Sequence, residues 1–371
     1  MCALSPINGL KINGPTVFYK QFVPPGLFPS DSTREMFFIL QRLGSVVLLF
    51  SIALPLAPAP AKKPEPEILA LDGDISPIHD PTMIREGDTY YVFATNRFAQ
   101  KLLPMFCSDL RHWKFCGNVF DKVPEWALKE IPNARGIWAP DISHVRDEYR
   151  LYYAVSTFGS NHSVIGLTTN KTLDPSSPDY YWVDQGKVLG STAADNWNAI
   201  DPHLAVDEKQ NMWLAWGSFW GGIKMGRVDP ITGKLSARDR TIYSLASRLP
   251  LQPPAIEAPA IVRQGKYFYL FVSLDMCCRG KESTYKIAVG RSRKITGPYE
   301  DKDGKPMMEG GGTLLMQGTS KWRGPGGQSL LLDEGQYLLV FHAYDGSTGR
   351  PALQISTTVW EDGWPRVGIL K

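Results

Sequence analysis

The apolar positions of this chain fall into a recurring block. Five times a turn containing Pro leads into a short apolar run, a polar turn follows, and an aromatic-rich stretch of strand-forming residues comes next. The lead-ins read HDPTMI (79–84), WAPDIS (138–143), IDPHLA (200–205), EAPAIV (257–262) and GPGGQS (324–329). The strands behind them read DTYYVFAT (88–95), EYRLYYAVS (148–156), NMWLAWGS (211–218), KYFYLFVS (266–273) and QYLLVFHAYD (336–345). Aligned on Pro81, Pro140, Pro202, Pro259 and Pro325, the blocks are 59, 62, 57 and 66 residues apart. One small sheet cannot bury its apolar face alone, so a unit repeated at this spacing predicts a radial array. Five units predict an all-β, five-bladed β-propeller over residues 68–371.

In a propeller the innermost strand of each blade lines the central channel. Equivalent positions of different blades therefore meet at one axis. Three lead-ins carry an acid beside the Pro: Asp80 and Asp201 directly before it, Glu257 two residues before it. Carboxylates gathered at one channel mouth repel one another, which a purely structural ring has no reason to accept. Any single Asp-Pro reads as a turn; three in register read as a catalytic constellation.

Glycoside hydrolysis needs such a set, with one carboxyl protonated for the leaving oxygen and one ionised to activate water or attack the sugar. Glu257 sits in apolar PPAIEAPAIV (253–262), where desolvation keeps a carboxyl protonated, as a general acid requires. Asp80, in the more polar SPIHDPT (76–82), is expected to stay ionised and act as base. Asp201 is the third charge, placed to raise the pKa of Glu257 and orient it. Trp138 aligns with Glu257 in its own blade, and Phe158, Trp197 and Trp220 stand where a sugar ring could stack. Trp213 and Trp216 read as core. Asn198 can hydrogen-bond a hydroxyl or cap a turn. His342, on an apolar strand, reads as a core histidine unless its ring faces the channel, where it is a metal-ligand type. His79 and His203 flank two of the acids, either tuning them or serving as turn residues.

Composition narrows the partners. A formal charge of +3, with scattered Lys and Arg, points away from nucleic acid. The 11 Trp and 15 Tyr suit both β-strands and sugar stacking. SVVLLFSIALPLAPAPA (45–61) has the length of a signal peptide and is too short and Pro-broken for a comfortable membrane span. Residues 1–61 are therefore expected to be an extension plus signal peptide cut near Ala59 or Ala61, with Met36 the more ordinary start and an uncleaved anchor the alternative. Residues 62–67 read as a Pro-rich linker. A secreted monomer, extracellular or periplasmic and free of the membrane after cleavage, is the expected form. Cys107 and Cys116 flank a strand–turn–strand pattern that suits a disulfide; adjacent Cys277 and Cys278 are either two thiols or a strained vicinal bridge. NHS (161–163) and NKT (170–172) are formal glycosylation sequons.

These residues resemble glycoside hydrolase family 43, and within it the endo-1,5-α-L-arabinanases. The anchors, in order, are HDPTMI, IWAPDIS, YYAVSTFGSNHSVIGL, NAIDPHL, GSFWGGIKM, AIEAPAIV, CCRGKESTYKIAVGRS, ITGPYEDKDG and HAYDG. The resemblance implies hydrolysis of arabinan or arabino-oligosaccharides with inversion, Asp80 as general base, Glu257 as general acid and Asp201 as modulator of that acid. It implies that Trp138, Phe158 and Asn198 lie in the sugar-binding surface. It implies that His342 lies near calcium or another cation at the propeller axis, held largely through water. One departure stands out: the fifth lead-in, often GPGH in relatives, is GPGG here, and the missing side chain at Gly327 is expected to alter the ion's surroundings and open the cleft floor. The alternatives are an exo-acting α-L-arabinofuranosidase or β-xylosidase of the same family and, more remotely, a carbohydrate-binding propeller without catalysis. The chain stops just after the fifth block, leaving no room for the extra β-sandwich typical of exo-acting relatives, so an open groove and internal cleavage are expected.

Overall fold

A computed structural model describes residues 64–95 and 102–371. The expected extension, signal segment, Met36 and Cys2 lie outside the described residues. Among the described residues no helix is long and apolar enough to cross a membrane.

Five antiparallel sheets follow one another along the chain. Blade one comprises His79–Glu86, Thr89–Thr95, Leu102–Ser108 and His112–Phe120, with Asp72–Gly73 added in parallel at its outer edge. Blade two is Trp138–Val145, Glu148–Val155, Ser163–Asn170 and Val183–Ser191. Blade three is His203–Val206, Met212–Trp216, Ile223–Arg227 and Ile242–Ala246. Blade four is Ile256–Gln264, Tyr267–Leu274, Lys286–Ser292 and Thr313–Gln317. Blade five is Trp322–Asp333, Gln336–Asp345, Pro351–Glu361 and Trp364–Val367. Each lead-in becomes an innermost strand and each aromatic-rich segment the second strand, as the repeat predicts.

The packing explains why those second strands are apolar at nearly every position. The core is divided into clusters at the seams between blades. In blade one, Tyr90, Val92 and Ala94 pack towards blade five, whereas Tyr91 and Phe93 pack towards blade two. In blade four, Phe268, Leu270 and Val272 face blade three, while Tyr269 and Phe271 face blade five. A strand whose side chains alternate between two buried faces has no wet side, so polar alternation disappears. Trp213 and Trp216 fill seams on opposite sides of blade three, as core residues.

The ring closes between blades five and one. Leu69 donates its backbone N–H to Ile355, and Thr357 donates to Glu67, so residues 67–69 pair antiparallel with the third strand of blade five. Leu69 then joins the seam cluster with Trp113 and Leu353.

Cys107 and Cys116 form a disulfide between the third and fourth strands of blade one. Closing so short a loop stabilises by about 2–3 kcal/mol. Calorimetry with and without reductant should show a modestly lower Tm for the reduced protein. Cys277 and Cys278 are free thiols. The sequons are used structurally: Asn161 and Asn170 are both buried, and Asn161 donates its side-chain amide to the carbonyls of Thr192 and Asp195. Neither can carry a glycan in this fold.

Candidate active site

The residue before each aligned Pro has a left-handed backbone. The φ angles are 47° at Asp80, 42° at Ala139, 55° at Asp201, 53° at Ala258 and 51° at Gly324. For a non-glycine residue this conformation costs about 1–3 kcal/mol, and it recurs in all five blades. In four blades the pairing with the second strand slips here, between His79 and Thr82, Trp138 and Asp141, Glu257 and Ala260, and Arg323 and Gly326. Such a bulge turns side chains out of the sheet. The central channel is accordingly lined by Asp80, Asp141, Asp201, His203, Gln328 and the aligned prolines of blades one to four.

Asp80 is embedded in a ring cluster. His79 Nδ1 lies 2.8 Å from its Oδ2, and His79 Nε2 lies 2.6 Å from the Tyr344 hydroxyl. The His79 ring stacks on His342 with centroids 3.7 Å apart, and His342 Nδ1 accepts the Asp80 backbone N–H at 3.1 Å. Burial alone would discharge both members of the His79–Asp80 pair, but their mutual attraction outweighs it. Asp80 is lowered to about 2 and His79 raised to about 10. Burial and the charged His79 push the His342 pKa well down, so that ring is neutral. Asp80 is thus held as a carboxylate, as expected of a base.

Glu257 and Asp201 are held in the opposite sense. Burial raises both, and for Asp201 the negative charges of Glu257 and Asp80 raise it further, well above the ordinary range. Two buried carboxyls that repel each other retain a proton between them. Asp201 Oδ2 accepts the backbone N–H of Ala258, which ties the third blade's acid to the residue beside Glu257. Glu257 Oε2 accepts from the Ser218 hydroxyl at 2.5 Å, and Oε1 is bonded by the Tyr285 hydroxyl. Ser218, Tyr285 and Tyr344 escaped the sequence reading, although all three lie inside quoted segments, GSFWGGIKM, CCRGKESTYKIAVGRS and HAYDG. Their signal was a hydroxyl within a motif, which only the fold connects to an acid.

The aromatic candidates separate. Phe158 is 72% exposed on the loop after the second strand of blade two. Trp138 and Trp220 are half-buried, the latter on the turn that carries Ser218. Trp197, like Trp138, is half-buried against the seam between blades two and three. Asn198 is 3% exposed and its side-chain oxygen accepts from Ser163 at 2.6 Å, which props the turn before Asp201, one of the two roles its sequence position allows. His203 is bonded through both nitrogens, to Asp141 and to the Ile261 carbonyl, and serves the channel wall. Gly327 opens nothing. A Cβ there would lie 2.5 Å from Asp80 Oδ1 and 2.9 Å from His342 Nδ1, so those side chains already fill the space.

The expected cation fits poorly at His342. His79, Asp80 and His342 each bring one ligand atom within 4.8 Å of the others. Calcium takes about six to eight oxygen ligands, and this trio supplies one carboxylate, already neutralised by His79. Because His342 Nδ1 accepts a backbone proton, its own proton sits on Nε2, which is buried without a partner. A protonated nitrogen cannot itself ligate a cation.

The model for glycosyl hydrolases family 43 matches residues 76–365, which span all five blades. The chain belongs to this family. It is 45% identical over 291 residues to the extracellular endo-α-(1→5)-L-arabinanase 1 of Bacillus subtilis, covering 78% of this chain and 87% of that protein. It is 41% identical over 301 residues to the extracellular exo-α-(1→5)-L-arabinofuranosidase of Cellvibrio japonicus, covering 78% and 86%. Among solved structures, the family 43 endo-arabinanase of Bacillus licheniformis superposes with a TM-score of 0.74 at 45% identity, covering 80% of this chain and 99% of that one. The α-L-arabinanase of Cellvibrio cellulosa complexed with arabinohexaose gives 0.74 at 40% identity, covering 79% and 96%. Family 43 membership makes this propeller a glycoside hydrolase.

Proposed function

We propose that this chain is a secreted endo-hydrolase of α-1,5-linked L-arabinan that inverts the anomeric centre. The observation that carries the reading is the division of charge among three acids from three blades. Asp80 is pinned ionised by His79 while Glu257 and Asp201 are driven up by burial. In this reading the Asp80 carboxylate takes the proton of a water as its oxygen attacks the anomeric carbon. Glu257 delivers its proton to the departing glycosidic oxygen, and Asp201 keeps that proton on Glu257 until then. Exposed Phe158, with half-buried Trp138 and Trp220, supplies the stacking surface. Relatives named extracellular support secretion.

Activity then requires Asp80 ionised and Glu257 protonated. The acid limb of kcat/KM falls near or below the ordinary carboxylate range, since Asp80 is lowered to about 2. The alkaline limb lies above the ordinary glutamate range, because Glu257 is raised and activity is lost as it ionises. A pH–rate profile checks both limbs.

The functional test is a product profile on linear 1,5-arabinan, with early proton NMR of the anomers. A ladder of oligosaccharides, a fast fall in viscosity and first-formed β-arabinofuranose ends support the proposal. Free arabinose from the start would move the chain to the exo mode carried by the Cellvibrio japonicus relative's name. α-Ends formed first would overturn inversion.

A further inference from the structure

The Glu257 carboxyl is gripped at both oxygens by hydroxyls from separate parts of the fold. Ser218 comes from the turn after the second strand of blade three, which bridges to Glu257 itself and whose Phe219 N–H bonds the Ile256 carbonyl. Tyr285 precedes the third strand of blade four and is almost wholly buried. Its ring has a dedicated seat: a Cβ on Gly326 of the fifth lead-in would fall 2.1 Å from Tyr285 Cδ2. The glycine of one blade therefore makes room for the tyrosine that reaches an acid of another.

We propose that Tyr285 is the positioning residue of the general acid, fixing which oxygen of Glu257 carries the catalytic proton. The inference rests on the reading of Glu257 as that acid. The Tyr285 hydroxyl donates to Oε1, a bond that is stronger to an ionised carboxylate than to a protonated one. With Oε1 engaged by that donor, Oε2 is the oxygen left to carry the proton. The Ser218 hydroxyl can rotate, accepting from a protonated Oε2 and donating to an ionised one. As the proton leaves for the glycosidic oxygen, negative charge grows on Glu257, and both hydroxyls bond that form more strongly than the neutral one. This is stabilisation that increases towards the transition state. Burial holds the Tyr285 pKa well above its usual range, keeping the phenol a donor. The other titratable groups that act on Glu257 or Tyr285 are Asp80, Asp201, Cys277 and Cys278.

The test is Tyr285→Phe, assayed on linear arabinan and on a 4-nitrophenyl arabinotrioside, whose leaving group needs little protonation. Loss of a hydrogen bond to a charged group predicts a fall of about 10–100-fold in kcat on arabinan. KM is expected to change less than about twofold, and the loss on the nitrophenyl substrate to stay within about threefold, since only acid assistance is impaired. Removing a donor that favours the carboxylate raises the Glu257 pKa, so the alkaline limb moves to higher pH. Ser218→Ala, a smaller change, is expected to move the limb the same way. Equal losses on both substrates with an unmoved limb would reduce Tyr285 to a packing residue and overturn the proposal. So would a Ser218→Ala limb that stays put if Tyr285→Phe fails to fold. Glu257→Gln separates the two levels. If it is inactive on arabinan while Tyr285→Phe behaves as wild type, only the positioning role fails; if Glu257→Gln is active, the acid assignment itself fails.

Discussion

Glu257→Gln is expected to lower kcat on arabinan by about 10²–10⁴-fold, the range that general acid catalysis supplies. The amide keeps the shape of the carboxyl and can still meet Ser218 and Tyr285, but it has no proton to give the leaving oxygen. Binding of arabino-oligosaccharides, measured by calorimetry, should survive, because the residues proposed to stack on the sugar are others. The loss should shrink on a 4-nitrophenyl substrate, which departs without a proton. An equal loss on both substrates would remove Glu257 from the role of acid.

Asp80→Asn is expected to lower kcat by a similar factor, about 10²–10⁴-fold, with the opposite substrate dependence. Water must be activated whichever group leaves, so the nitrophenyl substrate should give no relief. The variant also strips His79 of its counter-charge. His79 is raised to about 10 by Asp80 against a desolvation that opposes it. With the carboxylate gone, burial opposes the charge and only Cys278 still favours it, so the His79 pKa falls. NMR titration of the imidazoles would then show the His79 pKa falling from about 10. Residual activity on the nitrophenyl substrate well above that on arabinan would contradict the assignment of Asp80 as base. The pair of variants separates acid from base by one change of leaving group.

The blade repeat and the three acids were legible because a backbone requirement is written locally. A left-handed residue, a Pro and a bulge are consecutive in the chain, so Asp80, Asp201 and Glu257 could be aligned without any coordinates. The supporting hydroxyls were not legible, because Tyr285 and Ser218 approach Glu257 from other strands, and nothing near either residue announces an acid. Asn198 stands three residues before Asp201, yet the turn buries it against Ser163. His342 showed the limit of reasoning by residue type: its apolar neighbours suited core and its place suited a ligand. The outcome depended on a single backbone proton from Asp80, which occupies Nδ1. Gly327 read as a gap only because the side chains that fill the space belong to blade five's second strand and to blade one.

The closing seam has a further meaning. A Cβ on Gly368 would fall 2.5 Å from the Glu67 backbone, so the two ends of the propeller lie side by side. A short peptide joining them would make the ring continuous, and a new break could be placed at Gly304, in the outer loop of blade four, where a Cβ would meet nothing. Such a circular permutant keeps each blade beside its neighbours and each acid at the axis. It offers a means of moving the seam that holds by interlocked ends to a chosen place, and so of measuring how much of the propeller's rigidity resides in how the chain is threaded.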